Sequence, residues 1–155
     1  MNSIADVSNH SISELVSLQG RTAVVTGGGQ GLGFAIASRL AEAGAKVLIG
    51  DIDRELAESA AKRLASGSPG KVIGAFMDVA DSASVAQAAA LATNELGTIG
   101  IWVNNAGIFP SVKVTEMTDE TWNAVLGVNA SGTFNGSREA ARHMIDAGKG
   151  GVIVN

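Results

Sequence analysis

Thr26-Gly27-Gly28-Gly29-Gln30-Gly31-Leu32-Gly33 follows a β-branched and aliphatic run, Thr22–Thr26, and opens a stretch with helical spacing. Strand, glycine turn and helix in that order form the start of a βαβ unit. Glycine tolerates positive φ and lets the backbone approach a ligand closely. The start of the following helix offers unpaired N–H groups and a positive dipole end, which suits a pyrophosphate. The common GxGxxG spacing does not fit this stretch. The pattern that fits is TGxxxGxG, with Gly27, Gly31 and Gly33 in the glycine places. The bland alternative is a glycine-rich turn without a ligand. A P-loop needs Gly-Lys followed by Ser or Thr, and Gly148-Lys149-Gly150 lacks that third residue.

Outward from this turn, short apolar runs alternate with helical stretches. Thr22–Thr26, Lys46–Gly50, Val72–Met77, Gly100–Asn104 and Val152–Asn155 read as strands. They are continuous runs, as expected of strands covered on both faces. Leu32, Ile36 and Leu40 recur at helical spacing, with Gly44 at a C-cap position. Asp53 caps a second helix that buries Leu56, Ala60 and Leu64. Asp81 caps a third, with Val85, Ala88, Ala92 and Leu96 on one face. Thr118 caps a long fourth helix running from about Asp119 towards Ala147. Alternating strands and helices predict an α/β fold of right-handed βαβ units on a parallel sheet.

Composition narrows the function classes. The chain has 155 residues, 46% hydrophobic and 17% charged, which suits one folded domain and excludes disorder. A net charge of −4 with scattered Lys and Arg argues against a nucleic-acid partner, which demands a clustered basic face. No cysteine is present, so disulfides and thiolate chemistry are excluded, and two lone histidines make no zinc cluster, so no metal is expected. Residues 1–19 form a polar arm without the features of a signal peptide, and no apolar run approaches membrane-spanning length. The expectation is a cytoplasmic protein with no membrane partner. Three Asn-x-Ser/Thr tripeptides, at Asn9, Asn129 and Asn135, carry no weight without a secretion signal.

Asp51 ends the second strand, eighteen residues beyond Gly33. In a dinucleotide fold that place faces the adenosine ribose, where a carboxylate accepts from both hydroxyls and repels a 2′-phosphate. NAD is therefore expected over NADP, with Arg54 the one nearby cation favouring the latter. Asp53 is better read as a helix cap. Asp78-Val79 ends the third strand, where Asp78 either bonds an adenine amino group or caps a loop. Asn104-Asn105-Ala106-Gly107 ends the fourth strand and suits either a crevice along a cofactor or a plain Asx-turn. Asn129 falls inside the fourth helix, where its amide competes for backbone hydrogen bonds. It predicts a local kink able to hold a water, against a tolerated polar residue on a solvated face. His143 reads as a surface residue, and Trp102 and Trp122 as packing.

Together, TGGGQGLG, Asp51, Asp78-Val79, NNAG and Val128-Asn129 resemble the short-chain dehydrogenase/reductase family, in its ordinary-length oxidoreductase branch. The likeness runs from about Leu18 to Asn155. It implies a Rossmann-like, doubly wound parallel sheet, incomplete at five strands in the order 3-2-1-4-5, over residues 20–155. It implies that Gly27, Gly31 and Gly33 hold the pyrophosphate beside Gln30 and Leu32. Asp51 would bind the adenosine ribose, and Asp78 and Val79 the adenine. Asn105, Ala106 and Gly107 would lie along the cofactor. Asn129 would be the catalytic asparagine of the proton relay. The resemblance also implies a homo-oligomer and a small alcohol or ketone substrate.

The family's catalytic serine and Tyr-x-x-x-Lys follow the strand at which this sequence stops, and the chain contains no tyrosine. In the family that tyrosine is the general acid/base, tuned by the lysine. The chain is thus expected to be the cofactor-binding part of an NAD-dependent dehydrogenase, inactive alone and prone to self-associate through the exposed apolar edge of its last strand. The alternative is a naturally short, non-catalytic NAD-binding or interaction protein. An epimerase or dehydratase of the extended branch ranks below both, because its TGxxGxxG spacing does not match.

Overall fold

The computed structural model describes residues 6–155, so residues 1–5 of the expected arm lie outside the described part. Five parallel strands form one sheet: β1 (Thr22–Thr26), β2 (Lys46–Asp51), β3 (Val72–Phe76), β4 (Ile99–Val103) and β5 (Val152–Val154). Their order is β3-β2-β1-β4-β5, with Val24 level with Leu48 on one side and Trp102 on the other. Expected and observed strands agree to within one residue at each end. Six helices accompany them: α1 (Ile12–Leu15), α2 (Gly31–Glu42), α3 (Arg54–Ala65), α4 (Ser82–Leu96), α5 (Asp119–Leu126) and α6 (Gly132–Asp146).

Alternate residues of each strand serve opposite faces, and two cores result. Ala23, Val25, Val47 and Ile49 pack with Ala37, Ala41, Ala57 and Ala60, contributed by α2 and α3. Val24, Leu48, Met77 and Trp102 pack on the other face with Val85, Ala88, Ala92 and Leu96 of α4 and Ala140 and Met144 of α6. The sheet is thus doubly wound.

The caps form where the sequence places them. Asp53 accepts from the Leu56 N–H at 3.0 Å, Asp81 from Ala83 at 2.9 Å and Thr118 from Thr121 at 3.2 Å. The fourth helical stretch is not one continuous helix. Between α5 and α6 the chain makes a π-helical turn, Gly127–Ser131, centred on Asn129. A wider turn adds one residue to the coil and is the kink that a mid-helix asparagine foreshadows.

Several side chains depart from expectation. Leu32 is 79% exposed, and the fully buried positions of α2 are Gly33, Ala37 and Ala41. Ile36 and Leu40 only flank the contact. Small residues let the helix backbone lie close to the sheet, so the buried row sits one position away from the bulky one. The same holds in α3, where Ala57, Ala60 and Ala61 are buried while Leu56 and Leu64 are partly so. Trp102 is fully buried, but Trp122 is 54% exposed on α5, a helix with no buried residue. His143 is not a free surface residue. Its Nδ1 lies 3.0 Å from Thr93 Oγ1, joining α6 to α4.

Candidate dinucleotide-binding site

The sheet order reverses at β1, with β2 on one side and β4 on the other, and loops leaving the two neighbours part there. In open α/β sheets that crevice at the carboxyl ends of the strands receives ligands. A cleft of about 370 Å³ occupies this place. Eight of the anticipated residues line it: Gly27, Gln30, Asp51, Asp78, Val79, Asn105, Ala106 and Gly107.

The floor of the cleft is a knot between β1 and β4. Thr26 Oγ1 accepts the N–H groups of Asn105 and Ala106, each at 3.0 Å. Asn105 Nδ2 donates back to Thr26 O at 2.9 Å and Gly27 O at 3.0 Å. Four hydrogen bonds therefore fix the glycine turn to the NNAG turn. The packing leaves no room for side chains. A Cβ on Gly33 would run into Gly27 O and Asn105 Nδ2, and Gly27 adopts φ +60° against the Ala106 backbone. Gly33 does not line the cleft; it brings α2 against the knot beneath. Gly31, at φ +58°, faces open space.

The start of α2 differs from those of α3, α4 and α5. Asp53, Asp81 and Thr118 cap α3, α4 and α5, whereas Gln30 makes no side-chain cap to α2. No acidic residue stands in its first turn. The leading N–H groups of α2 are left to an outside acceptor, and the dipole favours an anion there. These donors and the glycine cradle fit a dinucleotide pyrophosphate. Leu32 lies outside the cleft lining, in keeping with its exposure.

Asp51 flanks the cleft at the end of β2. Its Oδ2 accepts the Gly29 N–H at 3.0 Å and its Oδ1 the Asp53 N–H at 3.2 Å. Two backbone donors thus hold the carboxylate beside the glycine turn while it stays part-exposed. Arg54 stacks 5.9 Å from the centre of the Phe76 ring. Asp78 uses Oδ1 to accept the Ala80 N–H at 2.9 Å, the loop-capping alternative, yet still lines the cleft. Buried Asn135 donates to Val79 O at 3.0 Å, holding that wall.

Asn129 is set apart from the lining. Its amide makes a reciprocal pair with Ile108, accepting the N–H at 2.9 Å and donating to the carbonyl at 3.0 Å. It therefore clamps the segment after NNAG to the π-helical turn. Asn104 points the other way. Its Oδ1 accepts Trp102 Nε1 at 2.8 Å, and its Nδ2 donates to Ser137 Oγ at 3.0 Å and Asn155 Oδ1 at 2.7 Å. This ties β4, α6 and the end of β5 together.

Ile52 and Met77 also line the cleft and were not anticipated. Each adjoins an acidic residue at a strand end, and the strand-end rule alone would have marked both. Among the described residues no group of three or more His, Asp or Glu could hold a metal, and no helix is long and apolar enough to cross a membrane.

Comparison with known proteins agrees with this fold. The sequence profile described as "short chain dehydrogenase" matches residues 21–155. D-threitol dehydrogenase of Mycolicibacterium smegmatis is 41% identical over 138 residues, covering 89% of this chain and 52% of that protein. The 3-oxoacyl-[acyl-carrier-protein] reductase of Chlamydia muridarum is 38% identical over 138 residues, covering 89% and 55%. A crystal structure of a short-chain type dehydrogenase/reductase from Mycobacterium marinum superposes with a TM-score of 0.87 at 34% identity, covering 92% and 57%. The chain spans about half the length of the curated relatives it matches.

Proposed function

The chain belongs to the short-chain dehydrogenase family, and on that premise we propose that it binds NAD at the strand ends as the cofactor-binding part of an oxidoreductase. Bound there, NAD would supply hydride exchange with an alcohol or ketone carbon of a small substrate. The residues of the chain bind and orient. The uncapped start of α2 with Gly27, Gln30 and Gly31 takes the pyrophosphate, Gly33 letting that helix start come close, and Leu32 contributes its N–H rather than its side chain. Asp78 and Val79 flank the adenine, and Asn105, Ala106 and Gly107 run along the cofactor.

The carrying observation is Asp51. Its carboxylate is fixed by two backbone N–H groups at the edge of the cleft, where it accepts from ribose hydroxyls and repels a 2′-phosphate. Arg54, engaged with the Phe76 ring, does not offset that repulsion. NAD is therefore preferred to NADP.

Asn129 takes part in the proton relay in this reading, supported by the π-helical turn that interrupts the helix at that residue. The 155-residue chain contains no tyrosine, so by itself it has no phenol to pass the proton and does not turn over at a useful rate. A cytoplasmic location and a homo-oligomeric state complete the proposal. The latter draws support from the exposed apolar side chains of α5 and β5.

Fluorescence titration with NADH and NADPH tests the reading. NADH should bind at least about tenfold tighter than NADPH, the equivalent of one charge-assisted hydrogen bond, and Asp51→Ala should erase the difference. Absence of saturable binding by either nucleotide would overturn it. NADH binding without turnover by the whole protein would favour the non-catalytic alternative.

A further inference from the structure

At the opposite end of the strands from the dinucleotide cleft lies a second cleft, of about 360 Å³. Roughly a full strand length, about 17 Å, separates the two ends. The residues entering β1, β2, β4 and β5 build it, and Arg21, Lys46 and Lys149 all line it. No carboxylate lines it. Among the described residues none of these three cations is paired with an acid, although the chain as a whole carries −4.

Two of the three cations are held in place by backbone carbonyls. Arg21 donates through one guanidinium nitrogen to Gly100 O at 3.2 Å, and Lys46 Nζ donates to Leu96 O at 3.0 Å. Gly100 makes room for this: a Cβ there would lie 3.0 Å from Arg21 Nε. One carbonyl satisfies only one of five guanidinium donors or one of three ammonium donors. The remaining donors face solvent, with no acidic side chain among the residues that line the cleft. Three cations lining one cleft repel one another, and a multiply charged anion bound among them relieves that repulsion.

We propose that this foot of the sheet is an anion site for a small phosphate-class ligand carrying two or more charges. It is separate from the dinucleotide cleft and independent of the oxidoreductase reading. The chemistry is point-charge and hydrogen-bond recognition, with Arg21 able to engage two oxygens in a fork.

Inorganic pyrophosphate is the probe. Calorimetric titration of the whole chain, against sodium chloride at equal ionic strength, should show saturable binding. Lys149→Glu should weaken it about tenfold or more, the equivalent of losing one charge-assisted hydrogen bond. Lys46→Ala serves as the second variant. Hydrogen exchange read by peptide locates the ligand, because residues 97–100 and 148–150 should gain protection. Binding that survives both substitutions, or protection confined to residues 27–33, would overturn the proposal by assigning the pyrophosphate to the glycine turn. Absence of saturable binding would overturn it outright. Failure of NADH to bind would leave this result untouched.

Discussion

The two sides of the sheet, divided at β1, are finished to different degrees. On the β2–β3 side, β2 has four consecutive buried residues, and α2 and α3 dock through alanine and glycine onto a closed core. On the β4–β5 side, β4 is buried, but β5 is the outermost strand, with Val152 and Val154 52% and 47% exposed. Its helix α5 buries nothing and holds Trp122 and Leu126 towards solvent, and Phe109 and Val114 on the preceding segment are bare. The residues proposed to bind adenosine belong to the finished side. Those proposed to run along the cofactor, Asn105, Ala106 and Gly107, and to serve the proton relay, Asn129, belong to the open one. In the proposed reading, the adenosine end would thus rest on rigid packing, and the Asn105–Asn129 end on turns tied by side-chain amides.

The largest effect expected from this contrast is on stability. Leu48→Ala, at a fully buried position in β2, should cost about 2–5 kcal/mol, whereas Val154→Ala in β5 should stay within about 0.5 kcal/mol. Urea unfolding measures both, and equal losses would erase the distinction. Next comes the seam. Asn105→Ala removes both donors to Thr26 O and Gly27 O and should cost about 1–3 kcal/mol. It should weaken NADH binding at the same time; a destabilised variant with unchanged affinity would separate the knot from the site.

A smaller effect is expected at the open face. Trp122→Ala should leave the unfolding midpoint nearly unchanged but shift the sedimentation profile towards smaller species. An unchanged profile would remove α5 from self-association. The smallest effect concerns Glu95, whose carboxyl is held below its ordinary value by the hydrogen bond and charge of Lys71. A lowered folded-state value means that the pairing contributes fully above the ordinary carboxylate value and is lost as pH falls through the lowered folded-state one. Lys71→Ala should return the Glu95 titration upwards, read by carboxyl NMR, with little change in stability at neutral pH.

The sequence revealed the strands and caps because each has a local cause: an apolar run of strand length, or an Asp or Thr two or three residues before an orphan N–H. It misplaced Leu32 because apolar periodicity marks bulky residues, while the helix meets the sheet through Gly33, Ala37 and Ala41. Trp122 misled in the opposite sense, since bulk alone does not say whether a neighbour lies opposite. Asp51 and Gly27 were readable from their places at strand ends. Ile52 and Met77 stand at the same strand ends and were passed over because their apolar side chains resemble those of core residues. The Thr26–Asn105 knot was hidden for another reason: its partners are far apart in sequence, and only the parallel pairing of β1 with β4 brings them together.

That separation has a consequence for how the protein comes into being. Asn105 bonds to residues 78 and 79 positions earlier, so the glycine turn cannot take its final shape until about two thirds of the described chain has been made. Contacts of such range form late, after the loop-closure entropy of everything between them has been met. During synthesis β1, β2 and the intervening α2 can assemble as each emerges, but the cleft at the strand ends has no floor until β4 arrives. A nascent chain halted before Asn105 would thus carry the whole glycine signature without the means to hold it open.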